Sequence, residues 1–339
     1  MDKLTKKRII IWGGNSKPLS IDTLDSHASV NAFFLSKYLS NYFEVINITD
    51  IDKPEMILEY DNIHSVISTA QYGFTNRIVK KGKNELFAKI RLHISGKLCS
   101  IADNNNIGRY YEDVLFCVRP INVKNTNKSI NLSRNQNYRE VRTGWCAEPK
   151  VFYPEEINEK EFNIFIDHAP YSEGALNYIN KFHSALRKVI SNYPDITINV
   201  FHQNNEGLVK WNFKDDKYLR SIYDRKVKVP YGDIANLFRR IHVFCFTHKE
   251  SSGLSGVEAA LAGAKLYIPK DLAGRTLIKQ DLLTDNLNYV IIRPFTHCFY
   301  KQFIKDIEKG IDRKLNHKQL SKSNNTWESA ANIIYKIIK

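Results

Sequence analysis

Two glutamates, Glu250 and Glu258, stand on either side of a short glycine-containing turn in the stretch 246–268, FTHKESSGLSGVEAALAGAKLYI. The apolar run IHVFCF (241–246) comes before them and a small-residue helical pattern follows, so the order is strand, tight loop, helix, strand. A run as apolar as IHVFCF suits a central strand covered on both faces. In open α/β sheets, ligands sit beyond the carboxyl ends of such strands. His248, Lys249 and Glu250 therefore fall at the rim of a cleft. Gly253 and Gly256 permit close approach of the backbone. The helix starting near Leu254 and Ser255 turns its free N–H groups toward the same rim, an arrangement that holds phosphate by hydrogen bonds and partial positive charge. Glu258, about one turn further in, could accept two hydrogen bonds from a ribose diol, and Glu250 could accept bonds from a sugar ring. The chemistry that fits is recognition of an anionic ligand that also carries sugar hydroxyls.

The elements that must position these acids read as α/β throughout. RIIIW (8–12) is a buried first strand ending in Gly13-Gly14, followed by a helical pattern over 27–40 and the strands EVINIT (44–49), HSVIST (64–69) and KLCSIAD (97–103). A helical pattern lies over 83–93. Strands alternating with helices imply a parallel sheet. The Asn-rich segment 120–136 reads as an irregular excursion, and the Pro- and acid-rich stretch 144–156 as a domain boundary. A second series follows: strands at 162–167, 196–201, 227–230, 241–246, 265–269 and 289–294, with helices over 173–191 and 231–240. The residues from 298 onward are helical. No repeat with a period of 20–50 residues is visible.

Bulk properties bound the function without naming it. The 339 residues exceed what one hydrophobic core usually spans, so two domains are expected. The net charge of +14 favours anionic partners. Cys99, Cys117, Cys146, Cys245 and Cys298 are scattered and odd in number, with no CxxC pair, which reads as reduced thiols rather than disulfides or a zinc site. The start, MDKLTKKRIIIWGGN, has too short an apolar run for a signal peptide, and no apolar run is long enough to span a bilayer. The expectation is a cytoplasmic protein, with any membrane contact peripheral and at the inner face.

The stretch Glu250-Ser-Ser-Gly253-Leu254-x3-Glu258-Ala259-x3-Gly263 resembles the E-x7-E motif of retaining GT-B glycosyltransferases, above all glycosyltransferase family 4. The resemblance implies that Glu250 touches the donor sugar and Glu258 the ribose. YGDIANLFRRIHVFCFTHKE (231–250) is similar to that family's entry to the motif, GWCAEPKVFYP (144–154) to its inter-domain segment, and TWESAANIIYKII (326–338) to its closing helix. The likeness covers most of 144–339 and is weak before it. One departure stands out. The family often places an Arg and a Lys after the first strand of the second domain, facing the diphosphate; here 167–175 reads DHAPYSEGA, with His168 and Tyr171 instead. Lys210, Lys249, Arg275 and Lys279 are the candidates to replace that charge.

Four further residues are candidates in the first domain. Gly13 and Gly14 could approach a donor phosphate or an acceptor; a plain strand-ending turn explains them equally well. His27 starts the first helix and could reach a cleft, or simply begin the helix. Asp103, at the carboxyl end of KLCSIAD, could act as general base on an acceptor hydroxyl, as its place resembles that of the base in phage DNA β-glucosyltransferases; an Asx turn or helix cap is the plainer reading. Residues 77–142 hold 14 Lys/Arg against 5 Asp/Glu, whereas residues 1–76 hold 7 against 9. That basic stretch suits an anionic lipid headgroup, a phosphorylated glycan precursor or DNA, or is a solvated face. No zinc spacing, HExxH, Walker A, GxSxG, GxGxxG or DxD triad is present.

The resulting expectation is an α/β protein of GT-B type: two Rossmann-like domains facing a cleft, residues 1–150 on the acceptor side, 151–298 binding the donor, and 299–339 packing back on the first. It implies a metal-independent glycosyltransferase with no cofactor beyond its nucleotide-diphosphate sugar donor, acting on a hydroxyl of a glycan or lipid-linked glycan precursor with retention. The alternatives are a DNA-base glucosyltransferase using Asp103 and a non-catalytic nucleotide-sugar-binding protein of the same shape.

Overall fold

The structure is a computed structural model and describes residues 6–14, 19–24, 26–70, 73–102, 111–118, 139–144, 146–167, 173–204, 207–210, 229–248, 254–273, 287–323 and 326–339. The chain forms two compact units, residues 1–146 with 324–339, and residues 147–323.

The first unit is built on β1 (Arg8–Trp12), β2 (Glu44–Ile48), β3 (Ile63–Ser68), β4 (Leu98–Ala102), β5 (Val114–Cys117) and β6 (Arg139–Arg142). Its sheet runs β2-β1-β3-β4-β5-β6, and every pairing is parallel. The apolar run Ile9–Trp12 is wholly buried, as a strand with neighbours on both edges and layers on both faces requires. Helices α1 (His27–Leu39), α2 (Gly73–Arg77) and α3 (Asn84–His93) make the crossovers. Ser26 caps α1 by accepting the Ser29 N–H.

The second unit holds β7 (Glu161–Ile166), α4 (Glu173–Asn192), β8 (Thr197–Asn204), β9 (Gly207–Lys210), α5 (Tyr231–Phe238), β10 (Val243–Cys245), α6 (Leu254–Leu261), β11 (Lys265–Pro269), α7 (Lys270–Ala273), β12 (Tyr289–Ile292), α8 (Thr296–Lys309) and α9 (Arg313–Leu320). Its sheet runs β12-β11-β10-β7-β8-β9, parallel except for β9, which forms a hairpin with β8. Counted within the unit this is the 3-2-1-4-5-6 order of dinucleotide-binding folds, with the third strand reversed. The first unit instead has the other doubly wound order, in which the direction of winding reverses between β1 and β3. One face of the second sheet packs on α4 and α8, with Phe182 against Phe299 at 4.2 Å between ring centroids.

The last helix, α10 (Trp327–Ile338), belongs to the first unit. Its apolar stripe, Trp327, Ala330, Ala331, Ile334 and Ile338, is buried. Trp327 stacks on Phe34 and Tyr335 on Tyr42. The Tyr42 hydroxyl donates to Asn332, and Lys97 caps the Ile337 carbonyl. The return to the first unit therefore begins at residue 324, not at 299. Phe299 and Phe303 are fully buried in the second unit's core, which holds α8 there. The division after Cys146 likewise falls four residues before the expected boundary at 150. Tyr42→Phe should lower the urea midpoint by a loss of about 0.5–1.5 kcal/mol, the usual net worth of one hydrogen bond.

Other sequence expectations shift. Strands β5, β6 and β9 were not expected, and the segment 120–136 lies outside the described residues. Of the expected strand 227–230, Val229 and Pro230 are described and are not strand; Pro230 leads into α5. The five cysteines are free, four of them buried. Among the described residues no helix is long and apolar enough to cross a membrane.

Candidate functional site

The winding of the second sheet reverses between the parallel neighbours β7 and β10, the switch point beside whose carboxyl ends α/β folds of this order bind ligands. Ile166 pairs with Cys245 at these ends. The Asp167 N–H extends the ladder by donating to the Cys245 carbonyl at 2.9 Å. Thr247, fully buried, donates its hydroxyl to the Asp167 carbonyl at 2.5 Å. His248 then brings Nδ1 to 3.7 Å from Asp167 Oδ2, an opposite-charge pair whenever the imidazole is protonated. An acid and a histidine thus stand at the strand ends where such folds bind ligands.

Helix α6 is the next described element after β10 and packs against β10 and β11. Leu254 and the run Gly256–Leu261 are buried, while Ser255 is exposed. Small residues along α6 let it lie close to β10 and β11. Gly263 ends it with φ at +98°; a Cβ there would meet the Arg313 carbonyl at 2.5 Å.

Glu258 is the chemically unusual member of α6, because its side chain is only 5% exposed. Tyr231, the first residue of α5, donates its hydroxyl to Glu258 Oε1 at 2.7 Å. Burial pushes the Glu258 carboxyl up to about 8, against a smaller downward pull from the Tyr231 bond. Burial also raises the Tyr231 phenol well above its ordinary value, helped by the Glu258 and Glu148 carboxylates, so it remains a donor. Glu148 is itself buried, with Oε1 accepting the Lys150 N–H at 3.3 Å. A carboxyl of this kind is suited to hydroxyl partners, which bond it without bringing a charge.

The other sequence candidates fall in several places. Glu250, Lys249, Gly253, His168 and Asp103 lie outside the described residues, as do Tyr171, Arg275 and Lys279. Lys210 is exposed on β9, the edge strand two places from β7. His27 is the first residue of α1. Gly13 and Gly14 follow β1 at the point where the first sheet reverses its winding, and a Cβ on Gly13 would sit 1.9 Å from Thr69 Oγ1. That hydroxyl bonds the Ala28 carbonyl, so Gly13 is where β1, β3 and α1 close on one another. Leu254, Ser255 and Glu258 are gathered on one helix, α6, which packs on β10 and β11. Sequence reading did not single out Tyr231, Asp167 or Glu148. The Val-Pro-Tyr-Gly-Asp run at 229–233 carried the one usable signal, a tyrosine directly after a helix-starting proline. Among the described residues no cluster of His, Cys, Asp or Glu is arranged to hold a metal ion.

No protein-family profile matches the chain, and no curated protein matches it by sequence. Solved structures do match it over its whole length. A putative UDP-N-acetylglucosamine 2-epimerase from Listeria monocytogenes is 14% identical, with 99% of this chain and 96% of that one covered and a TM-score of 0.54. A glycosyltransferase from Rickettsia africae ESF-5 is 12% identical, with 98% of each chain covered and a TM-score of 0.55. Trehalose-6-phosphate from E. coli bound with UDP-2-fluoro glucose is 9% identical, again with 98% of each covered and a TM-score of 0.55. At these identities the likeness is one of fold, and with two parallel-sheet α/β units the chain has the GT-B fold.

Proposed function

We propose that the protein binds a nucleotide-diphosphate sugar through its second unit and transfers the glycosyl group to a hydroxyl acceptor, with retention and without a metal. The observation that carries the reading is the buried carboxyl of Glu258 on α6, beside the reversal point of a sheet ordered like dinucleotide-binding folds. Glu258 takes the ribose diol and Glu250 the sugar hydroxyls. The N–H groups opening α6 and a nearby cation meet the diphosphate. In the reaction the bond from the anomeric carbon to the diphosphate oxygen breaks, a bond to the acceptor oxygen forms, and the proton of the acceptor hydroxyl passes to the departing diphosphate. Charge gathers on the departing diphosphate, so donors already aimed at it lower the barrier. The acceptor is a glycan or a lipid-linked glycan precursor, and the basic stretch 77–142 suits an anionic one; contact with an acidic membrane surface belongs to the same reading.

The likeness to a UDP-N-acetylglucosamine 2-epimerase favours one second reading, in which the same donor half serves isomerisation of the bound sugar. Thermal shift with uridine diphosphate and its sugars tests the shared half. At 100 times its dissociation constant a ligand adds about 2.7 kcal/mol, a rise of several degrees. Glu258→Ala should abolish that rise. No response from the intact protein to any nucleotide or nucleotide sugar would overturn both readings. Incubation with UDP-N-acetylglucosamine alone separates them, since an epimerase converts the sugar without an acceptor and a transferase does not.

A further inference from the structure

Glu258 is held from one side. Among the described residues its hydrogen-bond partner is Tyr231, on Oε1, which leaves Oε2 for a ligand. The tyrosine is itself fixed. Its ring is 7% exposed and stands edge-on to Phe152, with centroids 5.3 Å apart and planes at 85°, and Phe152 is fully buried. Tyr231 also opens α5 directly after Pro230, whose restricted backbone sets the direction of the helix. Ring packing, proline and helix start therefore converge on where the phenol oxygen lies.

We propose that Tyr231 is a positioning residue of the nucleoside site, holding the Glu258 carboxyl so that it selects ribose over 2′-deoxyribose. This rests on the donor-site reading above. A carboxyl free to rotate about its last torsion must be ordered by the ligand, which weakens binding. One pinned through Oε1 offers Oε2 in a set direction. A ligand lacking one of the two hydroxyls then leaves a buried polar group without its partner, and this is how sites reject analogues that miss a hydroxyl.

The test is calorimetric titration of the full chain with uridine diphosphate and with 2′-deoxyuridine diphosphate. The intact protein should prefer the ribonucleotide by about tenfold, the size of one buried hydrogen bond. Tyr231→Phe keeps the ring against Phe152 and removes one oxygen; it should cut that preference at least threefold, with the melting temperature checking the fold. In a Glu258→Ala background the same change should add nothing, because Tyr231 acts through Glu258. Glu258→Asp keeps the carboxylate but draws it back from the phenol, so it should lose the preference too and carries the test if Tyr231→Phe does not fold. The inference is overturned if the intact protein binds both nucleotides equally, if Tyr231→Phe or Glu258→Asp keeps the full preference, or if the Tyr231 loss persists without Glu258. If the intact protein binds neither nucleotide, the donor-site reading falls as well; if it binds and discriminates but Tyr231→Phe changes nothing, only the positioning role falls.

Discussion

Replacing Arg313 with methionine should destabilise the second unit by on the order of 3–5 kcal/mol, because several backbone carbonyls lose a charge-assisted hydrogen bond at once. The Arg313 guanidinium donates Nε to the Ile241 carbonyl at 3.1 Å, Nη1 to Glu155, and Nη2 to Arg239 and to Ala262, the last at 3.3 Å. Those carbonyls lie where α5 ends, where β10 begins, where α6 ends and in the segment before β7. One side chain thus ties together the amino-end loops of the same strands whose carboxyl ends form the candidate site. Burial draws Arg313 down to about 10, against the opposing attraction of Glu155, which still leaves it charged at neutral pH. Methionine preserves the aliphatic stem and removes the guanidinium from all four carbonyls, of which the Arg239 carbonyl still accepts the Glu155 N–H. A unit of this size loses about 2–4 °C per kcal/mol, so the melting temperature should fall by roughly 6–20 °C. Arg313→Lys should land between, since an ammonium cannot reach four acceptors in a planar fork. A methionine variant that melts within a degree of the parent would show that these carbonyls find water instead.

The fold was legible in sequence wherever burial was two-sided. RIIIW, FNIFI and KLYIP are dominated by apolar residues because each strand has neighbours on both edges and a layer on both faces, and each lies within one residue of its expected place. The strands that escaped notice are those with weaker demands. REVR (139–142) and GLVK (207–210) are sheet edges with one neighbour each, so nothing forces an apolar pattern on them. VLFC (114–117) is fully buried but only four residues long, too short for period to separate strand from helix. Helices α8 and α10 look alike in sequence, both amphipathic and both near the end, yet one packs on the second unit and the other on the first. That choice depends on the shape each apolar stripe meets, and local pattern does not encode it. The site was half legible for a similar reason. Glu258 stood out by its spacing from Glu250 and by the glycine turn between them. Its partner Tyr231 lies 27 residues earlier on another helix, and only the tertiary fold brings the two to 2.7 Å.

Raising the pH from 4.5 to 8 should progressively destabilise the second unit through Glu258, and Glu258→Gln should remove that slope. An unfolded chain releases the Glu258 proton near 4.5, whereas burial holds it in the folded chain up to about 8. Below the lower value both states carry the proton, and Glu258 contributes no pH dependence. Between the two values the unfolded chain is ionised and the folded chain is not, so each rise in pH favours unfolding. Above the upper value both are ionised, and the cost of a buried charge is complete. That displacement corresponds to a loss on the order of 3–5 kcal/mol by pH 8. Glutamine carries no charge, still offers an oxygen to the Tyr231 hydroxyl, and matches the volume of glutamate. The variant should therefore melt near the parent at pH 4.5 and well above it at pH 8. A parent and variant with parallel melting profiles across that window would show that Glu258 ionises in the folded state as it does in water. The expected pairing of outcomes bears on function. A fold stabilised at neutral pH by Glu258→Gln, together with a nucleotide response abolished by Glu258→Ala, marks a residue kept at the expense of stability, the usual signature of a ligand-binding group. An acid retained only to pack α6 against α5 would lose stability on replacement and leave nucleotide affinity where it was.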